Sequence, residues 1–280
     1  MTGTTRKLGQ YTVRRRLAAG DYAEVYLCES EDNAVALKVF HLRSQQLARF
    51  IADTPGLSVA QLRQRFRDEA GLMAQFEHPH IVPVLNTGGL DSDNPYYVMP
   101  FYPATLATKI RTRNRASGAV RPLPLRAGVA VLRQILSGLS ALHARNIVHR
   151  DLNPGNILID EVGNAAIADL SVARVPWPGY TPVRPKFGAI PFISPEQQAD
   201  PNATDMRGDV YSVGAIAYVI LTGRIPDAAL PPQRIVPDID PDVSDWMIAL
   251  LQADPDRRPR SAAEALLSLN AAMPDPERPC

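Results

Sequence analysis

The chemically most active part of the chain is residues 149–156, which read His-Arg-Asp-Leu-Asn-Pro-Gly-Asn. Asp151 and Asn156 supply hard oxygen ligands and hydrogen-bond acceptors in little volume, as an attacking hydroxyl or a metal ion on phosphate groups requires. The apolar residues 157–159 and a turn at Gly163-Asn164 follow, which is typical of a β-hairpin. His-Arg-Asp alone occurs by chance, but the full string in front of a hairpin is a much more specific signal.

A lysine inside an apolar strand is the second feature. Lys38 ends the string Val-Ala-Leu-Lys at residues 35–38, and burying an ammonium group is costly unless a carboxylate accompanies it. Glu69, in the helical string Arg-Asp-Glu-Ala at 67–70, is the natural partner. The alternative is that Lys38 merely ends an edge strand.

Hydrophobic periodicity predicts the elements that must position these residues. Alternating or continuous apolar runs predict strands at 11–17, 24–28, 34–40, 81–85 and 96–99. Period-3.6 patterns predict helices at 58–76, 125–144, 209–222, 242–252 and 262–271. Ser58 is the expected N-cap of the first helix. The strand-rich part gives way to the helical part near residues 100–104.

Composition limits the classes of function. A chain of 280 residues with 45% hydrophobic residues can bury a large core, and a net charge of +1 gives no case for nucleic-acid binding. Two cysteines, Cys28 and Cys280, form no disulfide or zinc pattern and suit a reducing compartment. The longest apolar run, 210–221, is too short to span a bilayer, and residues 1–7 lack an apolar signal core. We therefore expect a cytoplasmic protein without a membrane anchor.

Four strings together resemble one family. Residues 149–156 resemble the catalytic loop H-R-D-L-x-x-x-N, and residues 35–38 resemble the V-A-I-K strand. Ala-Asp-Leu-Ser at 168–171 stands where that family has D-F-G, and Ser-Pro-Glu at 194–196 resembles A-P-E. Over residues 8–269 the chain is similar to the eukaryotic-like (Hanks-type) serine/threonine protein kinases of bacteria.

The resemblance implies a fold and its extent. It implies the α+β, bilobal protein kinase fold, with a β-rich N-lobe at about 8–102 and a mainly helical C-lobe at about 103–271. The whole of 1–280 is then a single protein kinase domain. Glu196 is expected to pair with Arg258, and Asp209 is expected to hold the backbone of the catalytic loop.

The resemblance also implies site residues for ATP and for Mg²⁺ or Mn²⁺. Asp151, Lys38 and Glu69 take the catalytic positions, while Asn156 and Asp169 take the metal positions. The remaining nucleotide-binding positions fall on the phosphate-covering loop, the adenine pocket and the hinge: Ala18, Gly20, Val25, Ala36, Met99, Pro100, Tyr102 and Leu158. Pro100 lacks an N–H but keeps the carbonyl that such hinges use.

The chain departs from the pattern at several positions. The glycine-rich loop G-x-G-x-x-G is replaced by Ala-Ala-Gly-Asp-Tyr-Ala at 18–23, which keeps only the middle glycine. Asn153 stands where most of these kinases have lysine, and Ala189 where they have threonine. The sequence thus indicates the loss of a small network around Asp151. Ser171 replaces the glycine of D-F-G, and Thr181 is the expected phosphorylation site.

Three functions remain open on this sequence. The retained ionic residues favour ATP-dependent phosphoryl transfer to serine and threonine hydroxyls of proteins, slow or atypical. The departures favour a pseudokinase, a nucleotide-binding signalling scaffold. Phosphorylation of a small molecule is the third alternative. The expected partner is a protein substrate or signalling protein, not nucleic acid, and a homodimer is left open.

Overall fold

The computed structural model describes residues 6–20, 22–30, 33–41, 51, 57–110, 120–170, 190–200 and 204–274. These residues form two compact units. The N-terminal unit holds the described residues up to Pro103 together with Asp169 and Leu170, and the C-terminal unit holds the rest.

An antiparallel sheet is the framework of the N-terminal unit. Its six strands are β1 (Lys7–Leu8), β2 (Tyr11–Ala19), β3 (Ala23–Ser30), β4 (Asn33–Phe40), β5 (Asn86–Gly88) and β6 (Tyr96–Pro100). They lie in the order β1-β2-β3-β4-β6-β5. From Val35 to Phe40 every residue of β4, which lies between β3 and β6, is buried. Because successive side chains of a strand point to opposite faces, both faces of β4 are covered here, and these residues are apolar except for Lys38.

The helix α1 (Val59–Met73) packs beside this sheet. A capping box starts it: Ser58 accepts from the backbone N–H of Gln61, and the Gln61 side chain accepts from the Ser58 backbone. Phe66 contacts two aromatic rings of the sheet, with centroids 5.9 Å from Phe40 and 5.4 Å from Tyr97. The buried face of α1 thereby fixes which of its residues reach β4 and β6.

Helices dominate the C-terminal unit. They are α2 (Leu106–Ile110), α3 (Leu125–His143), α4 (Pro195–Ala199), α5 (Met206–Thr222), α6 (Pro232–Ile235), α7 (Pro241–Leu250) and α8 (Ala262–Ala272). Three short strands, β7 (Ala104–Thr105), β8 (Ile157–Ile159) and β9 (Ala165–Ile167), form a small sheet in that order. The α5 helix is buried almost along its whole length, as an apolar core helix must be, and ends at Gly223 in the left-handed region, with φ 74°.

One described helix, α3, has the length and apolar composition that a membrane-crossing helix needs. The same property is common in core helices of soluble proteins. Here α3 packs against α5 and α8, and Leu132, Leu136 and Leu139 are completely buried within the unit.

The predicted α+β class, β-rich at first and mainly helical afterwards, is confirmed. Most predicted elements form within a few residues of their predicted ends. The strand predicted at 81–85 is wrong: Ile81 makes only an isolated bridge, and the strand is β5, at Asn86–Gly88. Pro83 interrupts the apolar run and cannot donate to a ladder. That the kinase domain spans all of 1–280 stays a prediction.

Candidate active site

The lysine and glutamate predicted to pair do lie in contact. Lys38, near the end of β4, places Nζ 2.7 Å from Oε1 of Glu69 on α1. Both side chains are buried, with 9% and 0% of their surface exposed. The edge-strand alternative for Lys38 is therefore wrong, because β4 has a partner strand on each side.

Asp169 is the second carboxylate on Lys38. Its Oδ1 lies 3.2 Å from Nζ of the lysine, and its backbone has φ 64°. A residue other than glycine in this left-handed region is uncommon, and such residues concentrate at functional sites. The N-terminal unit thus gathers one ammonium group and two carboxylates.

Tyr97 belongs to this cluster, and sequence reasoning missed it. Its hydroxyl donates to the same Oε1 of Glu69 at 2.9 Å, while Oε2 of Glu69 has no hydrogen-bond partner among the described residues. Tyr97 lies directly opposite Lys38 in the β4–β6 ladder. A buried tyrosine hydroxyl usually has a hydrogen-bond partner, so a partner for Tyr97 could be expected. Only the strand register identifies that partner as Glu69.

Burial and charge shift the pKa values in this cluster. Burial raises the pKa of Glu69 to about 7, and the nearby Lys38 offsets this only in part. Burial opposes the charge on Lys38, but Asp169 and Glu69 outweigh it and raise its pKa well above the ordinary value. Burial and the Glu69 charge raise the pKa of Tyr97 well above its usual range. Lys38 therefore stays a cation, whereas Glu69 titrates near neutrality.

The residues predicted to bind the nucleotide are divided between the two units. Ala36 is buried and pairs with Met99, while Val35 pairs with Pro100 across the same ladder. The other members are half-buried or exposed: Val25 pairs with both Lys38 and exposed Ala18, Tyr102 follows β6, and Leu158 of the C-terminal unit lies in β8. Their nucleotide-binding roles stay predictions.

The predicted phosphate-covering loop forms the β2–β3 turn. The Gly20 N–H donates to the Ala23 carbonyl at 2.8 Å, so this amide already closes the hairpin. A methyl group on Gly20 would lie 3.4 Å from that carbonyl, an ordinary contact. Asp21 lies outside the described residues.

Asp209 of α5 anchors the catalytic loop in the C-terminal unit. Its completely buried carboxylate accepts from the backbone N–H of His149 at 2.7 Å and of Arg150 at 2.8 Å. Arg150 is held in the left-handed region, with φ 67°. The predicted role of Asp209 in holding this backbone is confirmed.

A third donor reaches Asp209 from α3. His143 Nε2 lies 3.0 Å from the aspartate, and the Ala262 N–H donates to His143 Nδ1 at 3.1 Å. Because Nδ1 accepts that hydrogen bond, it carries no proton, and Nε2 must be the nitrogen that donates to Asp209. Three N–H groups thus satisfy this carboxylate.

The loop brings Asn156 onto Asp151. The Asn156 amide nitrogen donates to the Asp151 carbonyl at 2.8 Å and to its Oδ2 at 3.0 Å. The Asn156 carbonyl accepts from the Ala168 N–H, next to Asp169 in the chain, at 2.9 Å. Since the Asn156 nitrogen is engaged with Asp151, its side-chain oxygen is the atom that can face a cation.

Asn153 does not leave a simple gap where lysine was expected. Its side chain contacts Asp151 and caps the short turn Pro154–Asn156. Two of the other departures, Ala189 and Ser171, lie outside the described residues. The predicted phosphorylation site, Thr181, lies outside them as well, and so do residues 42–50, 52–56 and 111–119. The structure therefore describes only the Asn153 part of the network around Asp151 whose loss the sequence indicates.

The predicted pair of Glu196 and Arg258 is present and bidentate. The two guanidinium nitrogens lie 2.7 and 2.8 Å from the two carboxylate oxygens. Burial opposes ionisation of Glu196, but hydrogen bonds from Arg258 lower its pKa. Gln197, which the sequence did not single out, donates to the Arg150 carbonyl at 2.6 Å. It ties the start of α4 to the catalytic loop.

Comparison with known proteins shows what the chain is similar to. The family model described as the protein kinase domain matches residues 11–268. The chain is 37% identical over 228 residues to the serine/threonine-protein kinase PknL of Mycobacterium bovis, covering 79% of this chain and 52% of that protein. It is 31% identical over 221 residues to the serine/threonine-protein kinase PrkC of Bacillus subtilis, covering 78% and 31%.

A third relative and a solved structure agree. The probable serine/threonine-protein kinase pknA2 of Bifidobacterium longum is 32% identical over 290 residues, covering 95% of this chain and 36% of that protein. The chain thus covers between 31% and 52% of the length of these relatives. The crystal structure of the Mycobacterium tuberculosis PknI kinase domain matches with a TM-score of 0.68 and 23% identity, covering 97% of this chain and 99% of that one. This match shows the fold.

Proposed function

Because the chain belongs to the protein kinase domain family, we propose that it transfers the γ-phosphoryl group of ATP to serine or threonine hydroxyls of proteins. The observation that carries the proposal is the anchored catalytic loop. Asp209 fixes its backbone, and Asn156 donates to the Asp151 carboxylate. A positioned carboxylate that can accept a hydroxyl proton is what this reaction requires of the protein.

The proposed step needs no covalent intermediate. The substrate hydroxyl oxygen forms a bond to the γ-phosphorus, the bond from that phosphorus to the β-phosphate oxygen breaks, and Asp151 accepts the hydroxyl proton. Lys38 places its ammonium group on the nucleotide phosphates, and Glu69 and Tyr97 keep that lysine side chain in place through the hydrogen bonds described above.

Each of the two predicted metal ligands is of a type that suits a hard divalent cation. Asp169 offers a carboxylate and Asn156 an amide oxygen, both ligand types that Mg²⁺ and Mn²⁺ prefer. Within the described part of the chain, no group of three or more His, Cys, Asp or Glu residues is placed to hold a metal ion by itself. Proteins bind magnesium through one or two side chains plus substrate phosphates. When bound, the ion supplies positive charge to those phosphates.

The proposal extends to the compartment. We expect the kinase to act in the cytoplasm, where ATP is present and thiols stay reduced. Cys28 is a buried free thiol, in keeping with that setting. The substrate is a protein, and whether the chain forms a homodimer stays open.

Mass spectrometry can test the proposal. The purified chain is treated with a phosphatase, freed of it, and incubated with ATP and Mg²⁺ or Mn²⁺ beside an Asp151→Asn variant. We expect added phosphate on serine or threonine in the wild type and almost none in the variant. Unphosphorylated wild-type chain and unphosphorylated added protein substrates, with ATP still raising the melting temperature, would instead favour a nucleotide-binding scaffold.

A further inference from the structure

The residue two positions after Asp151 faces it with an amide. We propose that Asn153 is a positioning residue, whose side-chain nitrogen orients Asp151 for proton transfer in place of the lysine found in most related kinases. This inference rests on the proposed kinase activity.

The contacts of the Asn153 nitrogen are the first step. Nδ2 lies 2.9 Å from the Asp151 carbonyl oxygen and 3.3 Å from Oδ1 of its carboxylate. Asn156 approaches the other carboxylate oxygen, Oδ2, at 3.0 Å. Each carboxylate oxygen of Asp151 thus accepts from a different amide, while its backbone carbonyl accepts from both. Two donors on opposite oxygens restrict rotation of the carboxylate, which is what a general base needs.

The Asn153 oxygen explains why its nitrogen points at Asp151. Oδ1 accepts from the Gly155 N–H at 2.9 Å, as the N-cap of the turn Pro154–Asn156. The oxygen and the nitrogen of one planar amide are therefore engaged in different directions. Rotating the amide would break both sets of hydrogen bonds, so the cap sets the orientation of the donor.

Residue 155 is matched to this arrangement. A Cβ on Gly155 would lie 3.0 Å from Asn153 Oδ1, closer than nearly all Cβ contacts in proteins. A side chain there would push the carboxamide away from Asp151. Lysine at position 153 could not accept from Gly155 at all, since it has no acceptor atom. Asn153 and Gly155 therefore work as a pair.

The amide differs from lysine in one chemical respect. It donates hydrogen bonds to Asp151 but brings no positive charge to the transferring phosphate. Its contribution should therefore fall on kcat, through the orientation of Asp151, and leave the KM for ATP almost unchanged.

Four variants separate positioning from capping. Asn153→Asp keeps the oxygen that caps Gly155 but replaces the donor with a second negatively charged acceptor beside Asp151. Asn153→Ala removes both functions. Gly155→Ala crowds the amide, and the double variant Asn153→Ala/Gly155→Ala has no amide left to crowd.

We expect kcat to fall about tenfold in Asn153→Ala and about a hundredfold in Asn153→Asp, with KM for ATP within about twofold of wild type. Gly155→Ala should lower kcat in the wild-type background and have no further effect in Asn153→Ala. Wild-type kcat in Asn153→Asp would overturn the proposal, because it would show that only the cap matters.

Hydrogen exchange measured by NMR provides a readout independent of activity. We expect slow exchange of the Gly155 N–H in wild type and Asn153→Asp, and fast exchange in Asn153→Ala. Equal protection in wild type and Asn153→Ala overturns the placement of the Asn153 side chain. If the wild type transfers no phosphate, the proposed function fails, and this exchange pattern alone decides whether Asn153 holds the loop as described.

Discussion

Each unit contains a buried carboxylate that holds predicted site residues, and the two carboxylates are satisfied in different ways. Asp209 in the C-terminal unit accepts three N–H groups, two from the backbone and one from His143, spread over both oxygens. Glu69 in the N-terminal unit uses one oxygen for both Lys38 and Tyr97, and its other oxygen has no partner among the described residues. Asp209 is thus held by a full set of donors, whereas burial disfavours the charged form of Glu69.

The difference has a physical meaning. Backbone N–H groups cannot leave Asp209 without local unfolding, so the catalytic loop is rigid wherever the unit is folded. The Glu69 side chain depends on one cation and one hydroxyl, and burial raises its pKa to about 7. The cluster of Lys38, Glu69 and Tyr97 in the N-terminal unit should therefore respond to conditions that leave the catalytic loop unchanged.

The largest expected effect comes from the anchor. Asp209→Asn replaces one accepting oxygen with an NH₂ group that faces N–H donors. We expect the free energy of unfolding to fall by about 3–5 kcal/mol. Urea denaturation followed by circular dichroism measures this. The exposed Asp242→Asn is a matched control and should change stability by less than about 0.5 kcal/mol. A wild-type midpoint for Asp209→Asn would contradict the assigned anchor.

The second expected effect is the contribution of Glu69 to the pH dependence of folding stability, measured as the difference between the wild type and Glu69→Gln. In the unfolded chain a glutamate ionises near its ordinary pKa of 4.5, and in the folded chain Glu69 ionises near 7. Between these values the folded state binds the extra proton, so raising the pH lowers the stability of the wild type relative to Glu69→Gln. The difference should reach about 3 kcal/mol between about pH 4.5 and 7.5.

Urea denaturation of both proteins across this pH range tests the point. Because all other titrating groups are common to both chains, they cancel in the difference. Parallel stability curves would mean that Glu69 keeps an ordinary pKa, and the contrast with Asp209 would then disappear.

The smallest effect is that of Tyr97→Phe. It removes one O–H donor from Glu69 and should cost about 1 kcal/mol of stability. The pKa of Glu69 should rise further, so the pH-dependent step moves upward. Tyr96→Phe, the neighbouring position on the same strand, is the matched control and should leave that step where it is. An unmoved step in Tyr97→Phe would show that Lys38 alone holds the carboxylate.

Much of this architecture was predictable because it depends on local patterns. The burial of β4 follows from its apolar run, which only Lys38 interrupts, and Ser58 marks the start of α1. The Lys38–Glu69 pair follows from the cost of burying an unpaired ammonium group. The Glu196–Arg258 pair, in contrast, was implied by the resemblance to the protein kinases, and it forms as a bidentate contact.

The features of the site that the sequence did not predict depend on strand register and on side-chain direction. Tyr97 faces Glu69 only because β6 pairs with β4 in one register, which no local pattern specifies. The sequence predicted that Asn153 removes a contact to Asp151, since most of these kinases have a positively charged lysine at this position. Its amide nonetheless reaches Asp151, because Gly155 leaves room for it. At Pro83 the missing backbone N–H prevails over the apolar residues around it, so no strand forms at 81–85.

The most direct test of the central claim is the initial rate of phosphate transfer from γ-labelled ATP to a protein substrate, with Asp151→Asn and Lys38→Met measured beside the wild type. The account predicts measurable transfer by the wild type and a loss of at least about a hundredfold in both variants. Equal rates in the wild type and Asp151→Asn, or no transfer by any of the three, would contradict it.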